Sequence, residues 1–91
     1  MEARNKIYIG RKPMMAYCMA VMSAMRNDNS EVILMARGRA ISTAVDVAEV
    51  VMNQYISDLV VRDITIGTEQ LESEDGRPRN VSNISITLAK E

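Results

Sequence analysis

The chain has 91 residues, enough for one domain over residues 1–91, and is 47% hydrophobic with eight Met and neither Phe nor Trp, so its core is aliphatic and soft. Eleven basic residues against twelve acidic ones leave a formal charge of −1. That balance excludes a protein that coats nucleic acid by bulk charge, and any such binding must come from local clustering.

Composition narrows the chemistry further. There is no His, and one Cys excludes an internal disulfide framework. The acidic residues show no metal-ligand spacing, so no enzyme, cofactor or metal site is expected. Cys18 lies within an apolar helical pattern and reads as a small buried hydrophobe in a reducing compartment. No apolar run reaches transmembrane length and the first residues are too polar for a signal peptide, which predicts a cytoplasmic protein.

In chain order, residues 5–9 alternate as a short strand, with Ile7 and Ile9 on one face and Lys6 and Tyr8 on the other. Gly10-Arg11-Lys12-Pro13 turns into a helix over residues 14–26, with Pro13 placed at its first position. Met14, Met15, Cys18, Val21, Met22 and Met25 form the expected apolar arc of that helix. The polar run from Asn27 to Ser30 ends it. A second strand spans residues 31–35, and a strong helical pattern runs from about residue 40 to residue 55. On it Ile41, Ala44, Val45, Ala48, Val51, Met52 and Tyr55 share a face, while Val50 lies opposite and Val47 to one side. Apolar residues beyond the core-facing arc suggest a protein surface, with Val47 and Val50 as the candidate contacts.

Two alternating strands follow, over residues 59–68 and 81–89. The first puts Val60, Ile64 and Ile66 on one face with Arg62. The second turns Ile84, Ile86 and Leu88 inward. Residues 69–79 are too polar to pack and contain a turn at Asp75-Gly76, so they form a hairpin reaching beyond the domain body, tipped by Arg77 and Arg79. The predicted fold is α/β (α+β), in the order β-α-β-α-β-β.

A β-α-β unit joins parallel strands by a right-handed crossover, so both strand-to-helix turns end at one edge of the sheet. Arg11 and Lys12 from the first turn therefore meet Arg37 and Arg39 from the second, around Gly38 and beside two helix N-termini. That is a phosphate-binding corner suited to nucleic acid. The other reading of the same residues is an ordinary turn whose arginines pair with surface carboxylates. A dinucleotide site does not fit: neither a G-x-G-x-x-G run nor a Walker lysine is present.

Ile9-Gly-Arg-Lys-Pro-Met14, Ala36-Arg-Gly-Arg-Ala-Ile-Ser42, Ala44-Val-Asp46, Asp75-Gly-Arg77 and Val81-Ser82 resemble the Alba family of archaeal chromatin proteins, in order and spacing along essentially the whole chain. The resemblance implies a four-stranded mixed sheet backed by two helices and a homodimer. It further implies binding of double-stranded DNA and RNA through backbone contacts, with hairpins reaching toward the minor groove. It carries nucleic-acid contacts onto Arg11, Lys12, Arg37, Arg39, Arg77 and Arg79, in a cytoplasmic, chromosome-associated protein that needs no cofactor. The acetylated lysine of the family's first turn falls on Arg11, whose side chain cannot be acetylated. The family's late phenylalanine of the second helix, tied to packing of dimers side by side on DNA, falls on Tyr55. Met35, Thr43, Met52 and Gln54 stand where strongly basic members carry cations, which predicts weaker and more selective binding. An RNA-dedicated subunit of a ribonucleoprotein and a protein-interaction module, the latter favoured by the acidic hairpin, are the competing functions.

Overall fold

The computed structural model describes residues 5–27 and 31–91. Arg4 and most of the turn expected over 27–30 lie outside them. The elements follow the predicted order: β1 (Lys6–Tyr8), α1 (Met14–Arg26), β2 (Glu31–Arg37), α2 (Ala40–Val50), β3 (Leu59–Glu72) and β4 (Pro78–Lys90). A π-helical turn, Val51–Tyr55, carries α2 to its end. Pro13 stands one residue ahead of its predicted place, as the N-cap of α1 in extended conformation.

The four strands form one sheet in the order β1-β2-β4-β3, with β1 parallel to β2 and the other pairs antiparallel. Register sorts the side chains. Val32, Leu34 and Ala36 of β2 pair with Leu88, Ile86 and Ile84 of β4, and they face the helices together with Ile7 and Ile9. Against them pack Tyr17, Cys18, Val21 and Met25 of α1 and Ala44, Val47 and Ala48 of α2, followed by Val51. Burial inside this aliphatic core raises the pKa of the Cys18 thiol, which opposes thiolate reactivity.

Both helices bury most of the arc expected of them, with its edge shifted on each. Tyr17 replaces Met15 in the buried arc of α1, and Met15 is exposed. On α2, Val47 is fully buried and Val45 is exposed, the reverse of the predicted arrangement. Val47 thus belongs to the chain's own core and offers nothing to a partner. The cause is that Val45 and Val47 flank the apolar arc of α2 on opposite sides, so periodicity leaves the helix free to roll toward either. Packing between α1 and the β2–β4 pair selects the arc. Val50 is partly buried against the same core, and Tyr55 remains 49% exposed.

β3 carries a further correction. Val61 pairs with Leu88 and Asp63 with Thr87, so Arg62 is the extra residue of a β-bulge and the alternation slips by one. Leu59 and Val61, rather than Val60, share the helix-side face with Ile64 and Ile66. A two-residue repeat read through a bulge assigns everything on one side of it to the wrong face.

The two last strands are also longer than predicted. β3 and β4 pair from Leu59↔Lys90 to Glu72↔Pro78, so most of the polar segment 69–79 is a regular two-stranded arm. At its tip Gly76 has φ +84°, the Ser73 N–H donates to the Arg77 carbonyl at 2.8 Å, and the Arg77 N–H donates to Asp75 Oδ1 at 3.1 Å. The hydrogen bonds from Ser73 and from the Arg77 backbone hold the Asp75 carboxyl below its ordinary pKa. The arm explains the shape. The radius of gyration is 14.0 Å, where a compact chain of this length gives about 12 Å, and the longest extent is 45 Å.

Candidate nucleic-acid interface

The first strand-to-helix turn is organised by a residue seven positions beyond its start. The Tyr17 phenol oxygen accepts the backbone N–H of Gly10 at 2.8 Å and that of Lys12 at 2.9 Å. Tyr17 itself is buried, so its hydroxyl needs partners there, and the turn supplies them. The loop folds back onto α1, and Arg11 and Lys12 stay exposed on its outside.

The second turn is held by the sheet. β2 runs two residues further than predicted, so Arg37 is its last strand residue, paired in register with Asn83 of β4. Gly38 follows at φ +60°, a left-handed conformation that costs a side-chain-bearing residue about 1–2 kcal/mol. Its N–H donates to the Ser82 carbonyl at 2.9 Å, tying the turn to the root of the arm. Arg39 is the N-cap residue of α2 and makes no side-chain capping bond.

On the sheet face away from the helices, Arg37 Nη1 meets Glu69 Oε1 of β3 at 2.9 Å, and Asn83 Nδ2 donates to Glu69 Oε2 at 2.7 Å. Those two hydrogen bonds, Asn83 first, hold the Glu69 carboxyl below its usual pKa. The geometry depends on Gly67, the β3 partner of Asn83: a Cβ there would come within 3.0 Å of Asn83 Oδ1. Arg37 therefore fulfils the competing reading from the sequence, as an arginine paired with a surface carboxylate. Arg11, Lys12, Arg39 and Arg79 form no ion pair among the described residues.

These elements enclose one open concavity between the sheet, the two turns and the arm. Arg11, Arg37, Arg39 and Arg79 all line it, with Glu69 as the opposing charge. Four cations from the first turn, the end of β2, the start of α2 and the arm thus converge on one side of a molecule of net charge −1. Lys12 and Arg77 lie outside this wall; Arg77 sits at the arm's tip, 3.7 Å from Asp75. Met35 and Thr43 are part of the lining, so two of the positions at which basic side chains were expected and are absent belong to this surface. No cluster of three or more His, Cys, Asp or Glu among the described residues could hold a metal ion, and no helix of theirs is long and apolar enough to cross a membrane.

Sequence reasoning missed Tyr17, Glu69 and Asn83. Tyr17 had a usable signal: with Val21 and Met25 it repeats every fourth residue, the spacing of a buried stripe, and a buried tyrosine requires a hydrogen-bond partner. Glu69 had none. Its neighbourhood to Arg37 is transmitted through the register of β4 and leaves no mark on local pattern.

Comparison with known proteins agrees with this architecture. A family model described as Alba matches residues 5–68. DNA/RNA-binding protein Alba 1 of Archaeoglobus fulgidus is 50% identical over 88 residues, covering 97% of this chain and 98% of that protein. DNA/RNA-binding protein Alba of Methanothrix thermoacetophila is 49% identical over 90 residues, covering 99% and 100%. The solved structure of Alba from Thermoplasma volcanium superposes with a TM-score of 0.90 at 43% identity, over 94% of this chain and all of that one.

Proposed function

Because this chain belongs to the Alba family, we propose that it binds double-stranded DNA and RNA through their phosphates, as a homodimer associated with the chromosome. The observation that carries the reading is the concavity lined by Arg11, Arg37, Arg39 and Arg79 in a chain with no overall positive charge. Guanidinium groups on separate rigid elements suit a backbone whose phosphates recur at fixed spacing, and such contacts position a duplex without reading its bases. Lys12 extends the surface from the first turn, and Arg77 and Arg79 extend it along the arm.

The dimer rests on a separate feature. The helices of the core lie over β1, β2 and β4, and β3 meets the helical layer only at the π-helical turn. The helix-side face of β3 is consequently bare beyond Leu59, with Ile64 54% and Ile66 76% exposed and Val61 exposed on the same face. A contiguous apolar strip on a chain this small is what a second copy would cover. Light scattering of the native chain should give twice the chain mass, and Ile66→Asp should give a folded monomer. A concentration-independent native monomer removes the dimer. Tyr55, exposed at the end of α2, remains available for contact between dimers, and Val50 only at its uncovered edge.

Met35 and Thr43 in the lining support the finer reading that binding is weaker and more selective than in a strongly basic relative. The test is dissociation constant against salt for several duplexes of DNA and RNA. Arg39→Ala should weaken all duplexes alike and flatten the salt dependence by about 0.9 in slope, the value for one lost phosphate contact. Met35→Lys and Thr43→Lys should tighten all duplexes and narrow their differences. Loss confined to one sequence would reassign Arg39 to base reading. A large preference for structured RNA would favour the ribonucleoprotein function, and absence of any salt-dependent binding would favour a protein-interaction module.

A further inference from the structure

The sheet has one face covered by helices and one face bare, and the bare face carries an aromatic ring at the basic end. Tyr8 points to that side, paired in register with Met35, which pairs in turn with Ser85 of β4. It is 68% exposed, whereas Tyr17 on α1 is buried. Exposure alone does not separate a strand-forming tyrosine from a ligand-binding one, because tyrosine favours strands on any surface. Location does. Tyr8 lines the same concavity as Arg11, Arg37, Arg39 and Arg79, at the end of β1 where the first basic turn begins. Met35 and Ser85 follow it in register across the same face of the sheet.

Phosphate groups explain the arginines and leave the ring without a role. A duplex presents its sugars and phosphates outward and keeps its base faces stacked, so it offers an aromatic shelf little to hold. An unpaired base does the opposite. Its exposed π-face stacks on an aromatic side chain whatever the base identity, and cationic groups alongside hold the adjoining phosphates. A four-stranded sheet with helices on one face and an aromatic residue on the other is a geometry in which proteins bind unpaired nucleotides.

We propose that Tyr8 is a stacking platform for an unpaired nucleobase, with Arg11 and Arg37 holding the phosphates that flank it. The site takes single-stranded segments and bulges, and has little base preference because one ring supplies stacking without an edge to read. This rests on the reading of the concavity as a phosphate-binding surface and adds to it a second mode of binding. In that mode the stacking part of the affinity does not depend on salt, while the phosphate part does.

The experiment compares oligo(U), oligo(dT) and a fully paired duplex with the native chain, Tyr8→Phe and Tyr8→Leu, each over a salt series. Tyr8→Leu should bind both single strands roughly tenfold more weakly at every salt concentration, with the slope unchanged. Its duplex affinity should stay as in the native chain, and Tyr8→Phe should behave as native throughout. A loss for oligo(U) but not oligo(dT) would restrict the site to RNA and still support it. A second measurement uses the unsubstituted ring. The chain has no Trp and three Tyr, and Tyr17 is buried, so in a Tyr55→Phe background exposed tyrosine emission comes from Tyr8. Single strands should quench it and the duplex should not. Unchanged single-strand affinity of Tyr8→Leu, equal loss on duplex and single strand, or absence of quenching would overturn the stacking site and leave the duplex reading intact. A native chain that binds neither form overturns both.

Discussion

The two basic turns have the same task in the fold and are held in opposite ways. The first is fixed from behind by one side chain, the Tyr17 phenol, which accepts two of its backbone N–H groups and leaves Arg11 and Lys12 outside. The second is fixed by the sheet, through the Gly38–Ser82 hydrogen bond, and by Glu69, which holds the Arg37 guanidinium itself. The difference matters for binding. In the first turn the anchor is independent of the cations, so a phosphate can take them without disturbing the loop. In the second, part of the anchor is the cation, and a phosphate must compete with Glu69 for Arg37.

The largest test of this contrast is Tyr17→Phe. It keeps the ring in the core and removes only the oxygen, so two N–H groups lose their acceptor. Denaturant unfolding should show a loss of about 1–3 kcal/mol. Binding through Arg11 and Lys12 should fall while binding through Arg39 persists. A variant as stable as the native chain would mean that water replaces the phenol and the first turn is held by its chain ends alone.

Gly38→Ala should come next. The added Cβ would lie 3.7 Å from Val81 Cγ1, an ordinary contact, so the cost is the left-handed backbone and amounts to about 1–2 kcal/mol. Thermal unfolding measures it. A larger loss would show that the turn cannot yield against the arm, and no loss would show that it relaxes to a negative φ.

Glu69→Gln should have the smallest effect on stability and an informative one on binding. The amide keeps one accepting oxygen of the two and no longer neutralises Arg37, so duplex affinity should rise and the salt slope should steepen by up to about 0.9. The acid limb of stability should change as well. The folded-state pKa of Glu69 is depressed, so its contribution is fully present above the ordinary glutamate pKa and is lost as pH falls through the folded value. Asp75 acts in the same direction at the tip of the arm. Glu69→Gln should remove the Glu69 share of that acid dependence, seen in unfolding midpoints as pH falls below the ordinary glutamate pKa. Unchanged salt dependence would mean that Arg37 contacts no phosphate.

Much was legible in the sequence because it is local. Strand and helix order, the bounds of α1, the parallel β1–β2 pair and the meeting of the two basic turns follow from periodicity, turn residues and the handedness of the crossover. The sequence by itself also determined which cations are available, since charge clustering around Gly10 and Gly38 is a property of the chain order. Only the tertiary structure decided where the edge of the buried arc falls on each helix. It placed Val47 inside and Val45 outside because the two valines flank the apolar arc of α2 on opposite sides and the packing of its neighbours chooses between them. It likewise decided, through the bulge at Arg62, that Ile64 and Ile66 share a bare face with Val61. The Arg37–Glu69 pair belongs to the same class, because side chains on β2 and β3 meet only across the register of β4, and register is set by all the strands together.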